Sequence, residues 1–194
     1  MHLRALSLAA FALTAFTTAG AHAQGGVAEL TVFGGRGTAR PLRWGIGGEV
    51  TLNVGPRLTL GPRYLNMWGD NDRVLAGGDT IREEDNNATI WTGEIGVRFD
   101  ASGIAIRPVV GVGAALLTQT VTVRPLDGTG TGEETKETVP VFTPGVIATV
   151  PAGPIRFGGE LRYIAAGTPE GSFSTDFESQ SFIFYFRVSY VIGR

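Results

Sequence analysis

Cysteine is absent from the 194 residues, so disulfides, thiolate metal sites and a lipid-bearing N-terminal cysteine are all excluded. Histidine is almost absent. The two copies, His2 and His22, both fall in the first 23 residues, which leaves the remainder of the chain without an imidazole. Beyond Ala23 no apolar run approaches the ~18 residues that a helical membrane span needs. An excess of basic charge is missing too. Setting Arg4 aside leaves fifteen basic against eighteen acidic side chains, a formal charge of −3, so no nucleic-acid partner is expected.

What is present begins with a leader. Arg4 lies in a short basic start, Ala5 to Phe16 is an apolar run, and Ala21-His22-Ala23 has the small-x-small cleavage pattern. Residues 1–23 therefore read as a secretory signal peptide. Residues 24–194 remain, enough for one domain. With 29 glycines, about twice the usual ~7%, the chain is a poor helix former.

Period-two alternation dominates instead, and period two means a strand with two different faces. Trp44, Ile46, Val50, Leu52 and Val54 share one parity, with Glu49, Thr51 and Asn53 on the other. Trp91, Ile95, Val97 and Phe99 alternate in the same way with Thr92, Glu94 and Arg98. Eight such segments are expected: 27–34, 43–54, 58–68, 89–99, 104–122, 139–150, 155–166 and 181–192. Prolines interrupt several of them. Pro140 and Pro144 in the sixth suggest bulges, or a strand beginning after Pro144. The connections sort into long ones (35–42, 69–88, 123–138 and 167–180) and short ones (55–57, 100–103 and 151–154). Strict alternation of long and short connections is the habit of up-and-down membrane barrels. The expected fold class is all-β, an eight-stranded antiparallel up-and-down transmembrane β-barrel.

The last segment, SFIFYFRVSYVI, is aromatic on one face and resembles the closing strand of Gram-negative outer-membrane barrels. Those families end on Phe or Trp, whereas this chain adds Gly193 and Arg194. The stretch IRPVVGVG resembles the Pro-aromatic-x-Gly-x-Gly strand of the OmpA-like and OmpX-like families through Pro108, Gly111 and Gly113, with Val109 in place of the aromatic. The resemblance implies residence in the outer membrane, surrounded by its lipid and lipopolysaccharide, and folding by the barrel-assembly machinery as a monomer. It places Trp44, Trp68 and Trp91 beside the long loops, and Phe99, Phe157 and Tyr190 near the short turns, as two interfacial belts.

Several small outer-membrane barrels are enzymes, and the chemistry of those families involves a histidine. Residues 24–194 have none, so the resemblance implies the fold without the activity, and no cofactor is expected. A Ser-His-Asp triad and a histidine-bound zinc are excluded on the same ground. Glu83-Glu84-Asp85 and Glu133-Glu134 read as solvated loop carboxylates. Asp70, Asp72 and Asp79 lack the spacing of a Ca²⁺ loop. Gly34-Gly35-Arg36-Gly37 reads as a turn, since no Lys-Ser/Thr and no helix follow it.

The inward parity carries Glu29, Glu49, Glu94 and Glu160 with Arg63, Arg98, Arg107, Arg156, Arg162 and Arg187. Within it, Glu49, Arg63, Glu94, Arg98, Glu160, Arg162 and Arg187 are expected to form a structural charge network closing an eight-stranded bore. Three function classes follow: a structural or surface-interaction barrel whose loops hold any extracellular ligand, a narrow transport or ligand-binding barrel, and a soluble lipocalin-like binder with the two faces reversed.

Overall fold

In a computed structural model the described residues are 28–39, 42–69, 72–75, 80–125, 128–169, 173 and 179–193. The expected leader and its cleavage site lie outside them. Ten strands follow in order: β1 (Ala28–Gly37), β2 (Trp44–Val54), β3 (Leu58–Trp68), β4 (Asp72–Leu75), β5 (Thr80–Val97), β6 (Phe99–Ala101), β7 (Ile104–Pro125), β8 (Thr131–Ala152), β9 (Ile155–Ala166) and β10 (Gln180–Ile192). Eight of them form the wall. β4 only flanks β5, and β6 continues β5 beyond Arg98. All neighbours are antiparallel. The sheet closes through β1–β10, from Ala28↔Ile192 to Gly37↔Ile183, and through β5–β7. The fold is a closed eight-stranded antiparallel β-barrel of the transmembrane class.

Alternation runs apolar-out. Val32, Ile46, Leu161, Phe184 and Phe186 are exposed on the outer face. Glu29, Thr31, Glu49, Arg162 and Arg187 are buried inside. A lipocalin-like binder needs the opposite arrangement. In water such an outer surface is unfavourable; against lipid tails it is the stable one.

Three prolines each break one ladder without shifting its register. At Pro62 the β2–β3 pairing passes from Glu49↔Arg63 to Leu52↔Leu60. At Pro108 the pairing with β7 passes from Gly96↔Val109 to Phe99↔Ile106, which is why β5 and β6 are separate. At Pro144 the β8–β9 pairing passes from Phe142↔Ala165 to Gly145↔Arg162. Each ring lacks a donor, and the wall tolerates the gap because the opposite edge of the same strand stays paired there. The bulges or late start expected for the sixth strand do not occur. Pro140 pairs with Ala114, and its carbonyl accepts the Gly167 amide at 2.8 Å.

The short turns lie where expected, each with a glycine at positive φ: Gly55, Gly103 and Gly153. The long connections differ. Residues 80–88 belong to β5, 123–125 to β7 and 131–138 to β8, so two expected loops are largely strand. Gly35–Gly37 is strand as well, not turn.

Gly113 of the Pro-x-x-Gly-x-Gly stretch has a steric reason to be glycine. A Cβ there would lie 1.8 Å from the Trp91 carbonyl oxygen, whereas one on Gly93 would meet nothing within 4 Å. Gly113→Ala is therefore expected to destabilise the barrel by roughly 1–3 kcal/mol through forced backbone movement, and Gly93→Ala to leave it unchanged or slightly more stable. Urea unfolding of both variants in lipid vesicles checks this. Equal midpoints contradict the steric account.

Candidate functional site

Strand alternation points every second side chain into a bore that eight strands leave just wide enough to fill. Along the axis the filling changes character. Toward the long connections it is apolar: Leu65, Met67, Leu117, Ile164, Ile183 and Tyr185 lie in one buried cluster, with Leu42 and Phe173 packed on it. Below it lies a layer of charge.

Glu160, 1% exposed, is the centre of that layer. It accepts hydrogen bonds from Arg63 Nη1 at 3.1 Å, from Arg187 Nη1 at 2.9 Å, and from Arg162 Nε. Arg162 also holds Glu94 with both terminal nitrogens, at 2.6 and 3.1 Å. At the gap opened by Pro144, the Thr143 carbonyl and hydroxyl both accept from Arg162 Nη1, at 3.0 and 3.1 Å. Glu49 takes Arg107 Nη2 at 2.6 Å, Arg187 Nη2 at 3.3 Å and Arg63 Nη1 at 3.4 Å, with the Thr51 hydroxyl at 2.5 Å. Four guanidiniums thus share three carboxylates.

Arg63 joins the two layers. Its guanidinium carbon lies 3.7 Å from the Phe33 ring centroid and 5.1 Å from that of Tyr185. The two rings meet edge to face at 5.1 Å and 71°. A cation beneath aromatic faces is attracted by their quadrupoles, which lets the charged layer end directly against the apolar one.

Six of the seven expected network residues meet in this layer; Arg98 does not. It lies near the short turns, gripping Asp100 at 2.8–3.1 Å and reaching Glu29 at 3.5 Å. Arg156 completes that lower group on Glu29. Arg107 takes a place on Glu49 in the central network. Among the described residues one small cavity of about 10 Å³ lies beside Glu49, Glu94 and Arg107, and another of about 10 Å³ lies beside Glu29, Arg98 and Arg156. Each has room for about one water molecule.

Trp44, Trp68, Trp91, Phe99, Phe157 and Tyr190 all face outward and are exposed. Trp44 and Trp68 are cross-strand partners, and Trp91 opposes Tyr64 with ring centroids 6.1 Å apart. Trp91 does not adjoin a long loop as expected, because residues 80–90 of β5 separate it from the connection.

Above the rim stands a second feature. β3 ends at Trp68↔Asn87 and β9 at Val141↔Ala166, whereas β5, β7 and β8 continue to Thr80↔Pro125 and Val123↔Thr131. With β4 they form a four-stranded sheet rising past its neighbours. Gln119 Nε2 donates to Asn86 Oδ1 at 3.0 Å in its buried base. Arg124 of β7 pairs with Glu83 of β5 at 2.7 Å, while Arg82–Glu84 along β5 and Lys136–Glu134 along β8 pair at 2.7 and 2.9 Å. Glu83-Glu84-Asp85 and Glu133-Glu134 are thus strand residues, and alternation sends consecutive carboxylates to opposite faces. Asp70 and Asp79 lie outside the described residues. Among the described residues no three His, Cys, Asp or Glu side chains converge on a metal-sized site.

No protein-family model and no curated protein sequence matches this chain. Solved structures do. A major outer membrane protein from Thermus thermophilus is 11% identical over 87% of this chain and 100% of that one, with a TM-score of 0.62. The N-terminal β-barrel domain of Pseudomonas aeruginosa OprF is 16% identical over 86% of this chain and 97% of that one, TM-score 0.46. Neisserial surface protein A is 12% identical over 86% and 97%, TM-score 0.48. The last two scores add no argument. The Thermus likeness, at its low identity, speaks for fold alone: this chain is built like a small outer-membrane β-barrel.

Proposed function

We propose that this protein is a non-enzymatic outer-membrane barrel whose interior is structural and whose working surface is the protruding β4–β5–β7–β8 sheet with the adjoining connections. The carrying observation is the filled interior: among the described residues a layer of paired charge and an apolar layer lie across the bore, and the cavities beside the charges are only about 10 Å³ each. The alternation of an apolar outer face with a polar one supports membrane residence. The leader supports export, with residues 1–23 removed at maturity. Under this reading the barrel-assembly machinery inserts the chain as a monomer, and lipopolysaccharide is its neighbour in the outer leaflet.

Fractionation tests the reading directly. The expected result is recovery with outer membranes, in a heat-modifiable form that begins at Gln24. Recovery as a soluble periplasmic monomer overturns it. A second expectation concerns the sheet. Replacing residues 121–133 by Asn-Gly joins β7 and β8 below the tip, where a two-residue turn suits a hairpin. That variant should still insert and remain heat-modifiable, because its wall pairings below Gln119 are untouched. Loss of insertion would make the sheet part of the folding unit and not a working surface.

A further inference from the structure

Eight described arginines are held by carboxylates. Arg36 and Arg57 have no such partner among the described residues; each lies over an aromatic ring on the outer surface. The Arg36 guanidinium carbon is 5.2 Å from the Trp44 ring centroid, and that of Arg57 is 6.0 Å from the Phe99 ring centroid. All four side chains are exposed. Arg36 stands at the long-connection end of β1, and Arg57 in the turn between β2 and β3 at the opposite end. The protein therefore carries one unpaired guanidinium on an aromatic platform at each end of its apolar band.

Resting on the membrane reading above, we infer that Arg36 with Trp44, and Arg57 with Phe99, are two binding sites for the phosphate of a membrane lipid, one in each leaflet. Aromatic rings on a barrel's outer face are most stable at headgroup depth, which is where phosphates lie. A guanidinium lying over a ring still has N–H donors directed away from it, and a phosphate takes two of them side by side. The surroundings fit the rest of the lipid. Arg36 opposes Phe184 across the β1–β10 ladder, and Phe182 and Phe184 are exposed beside it. Leu58, Val97 and Phe99 give the lower site its apolar wall. Phosphate at one end and acyl chains along the band describe a single molecule type.

The test uses the full folded chain in a neutral detergent, with native mass spectrometry counting retained lipids. Phosphatidylglycerol is compared with a phosphate-free galactosyl diacylglycerol of the same acyl chains. The wild type should retain the phosphorylated lipid roughly fivefold better per site, the effect of one arginine near an anionic headgroup. Arg36→Gln and Arg57→Gln should each remove one site, and the double variant both. Arg124→Gln, in the protruding sheet away from both sites, should leave retention of the two lipids unchanged. Equal retention of the two lipids by the wild type, or unchanged retention in the double variant, overturns the inference. So does self-association that Arg36→Gln abolishes, since the partner would then be a carboxylate of a second copy. Failure of the wild type to insert into vesicles at all defeats the membrane reading itself, a distinct outcome from insertion without phosphate preference.

Discussion

Glu160→Ala is expected to cost roughly 3–5 kcal/mol of barrel stability, the usual loss when one member of a buried charge group is removed and the others remain. Glu160 is the shared acceptor of Arg63, Arg162 and Arg187, so its loss leaves three buried guanidiniums short of a carboxylate. Glu94→Ala should cost less, because Arg162 keeps Glu160. Glu134→Ala, in an exposed pair with Lys136, should stay within about 0.5 kcal/mol of the wild type. Urea unfolding in lipid vesicles gives the ranking. Adding Arg187→Leu to Glu160→Ala should recover part of the loss, since neighbouring charges couple. Equal midpoints for Glu160→Ala and Glu134→Ala would show that water, not arginine, solvates the interior carboxylates.

Tyr185→Ala is the second large effect, roughly 3–5 kcal/mol as for other buried aromatic-to-alanine changes. The ring is fully buried, meets Phe33 edge to face, and lies over Arg63. Removing it opens a void between the apolar layer and the charged one and takes away one aromatic face of a buried cation. Tyr185→Phe keeps both contacts and should cost far less. If the alanine and phenylalanine variants unfold together, the ring does not join the layers.

Both effects depend on a division of the interior that the sequence shows only in part. Parity identified the inward set, because a strand sends alternate side chains to opposite faces whatever their chemistry. It does not order that set along the axis. Read strand by strand, the inward positions turn apolar in one direction: Arg63 to Leu65 to Met67, Glu94 to Thr92 to Ile90, Arg162 to Ile164 to Ala166, and Arg187 to Tyr185 to Ile183. Antiparallel strands reverse the trend along the chain, so it emerges only once each strand's direction is fixed. Leu65 breaks the apolar/polar alternation of β3 because its inward neighbours are apolar too.

The protruding sheet was hidden for another reason. Residues 80–88 and 131–138 are rich in Glu, Asp, Asn, Thr and Gly, a composition that suits water better than a strand interior. Above the rim most side chains of the sheet are wet, so polar strands are stable there through backbone pairing and side-chain pairs such as Arg124–Glu83. Composition reported the solvent and not the backbone. Proline misled in the opposite sense. Pro62, Pro108 and Pro144 each remove one donor, and the closed wall absorbs the loss because every strand has a second paired edge. Arg98 went astray because parity places it inside but its height puts it beside Asp100 at the mouth.

Conductance across a planar bilayer tests most directly whether the barrel is sealed by its own side chains. Purified wild-type protein, inserted and heat-modifiable, should show no steady porin-sized current at neutral pH, because the charged layer and the apolar layer lie in series across the bore. Steady porin-sized conductance from the wild type would contradict the sealed interior and make transport the function.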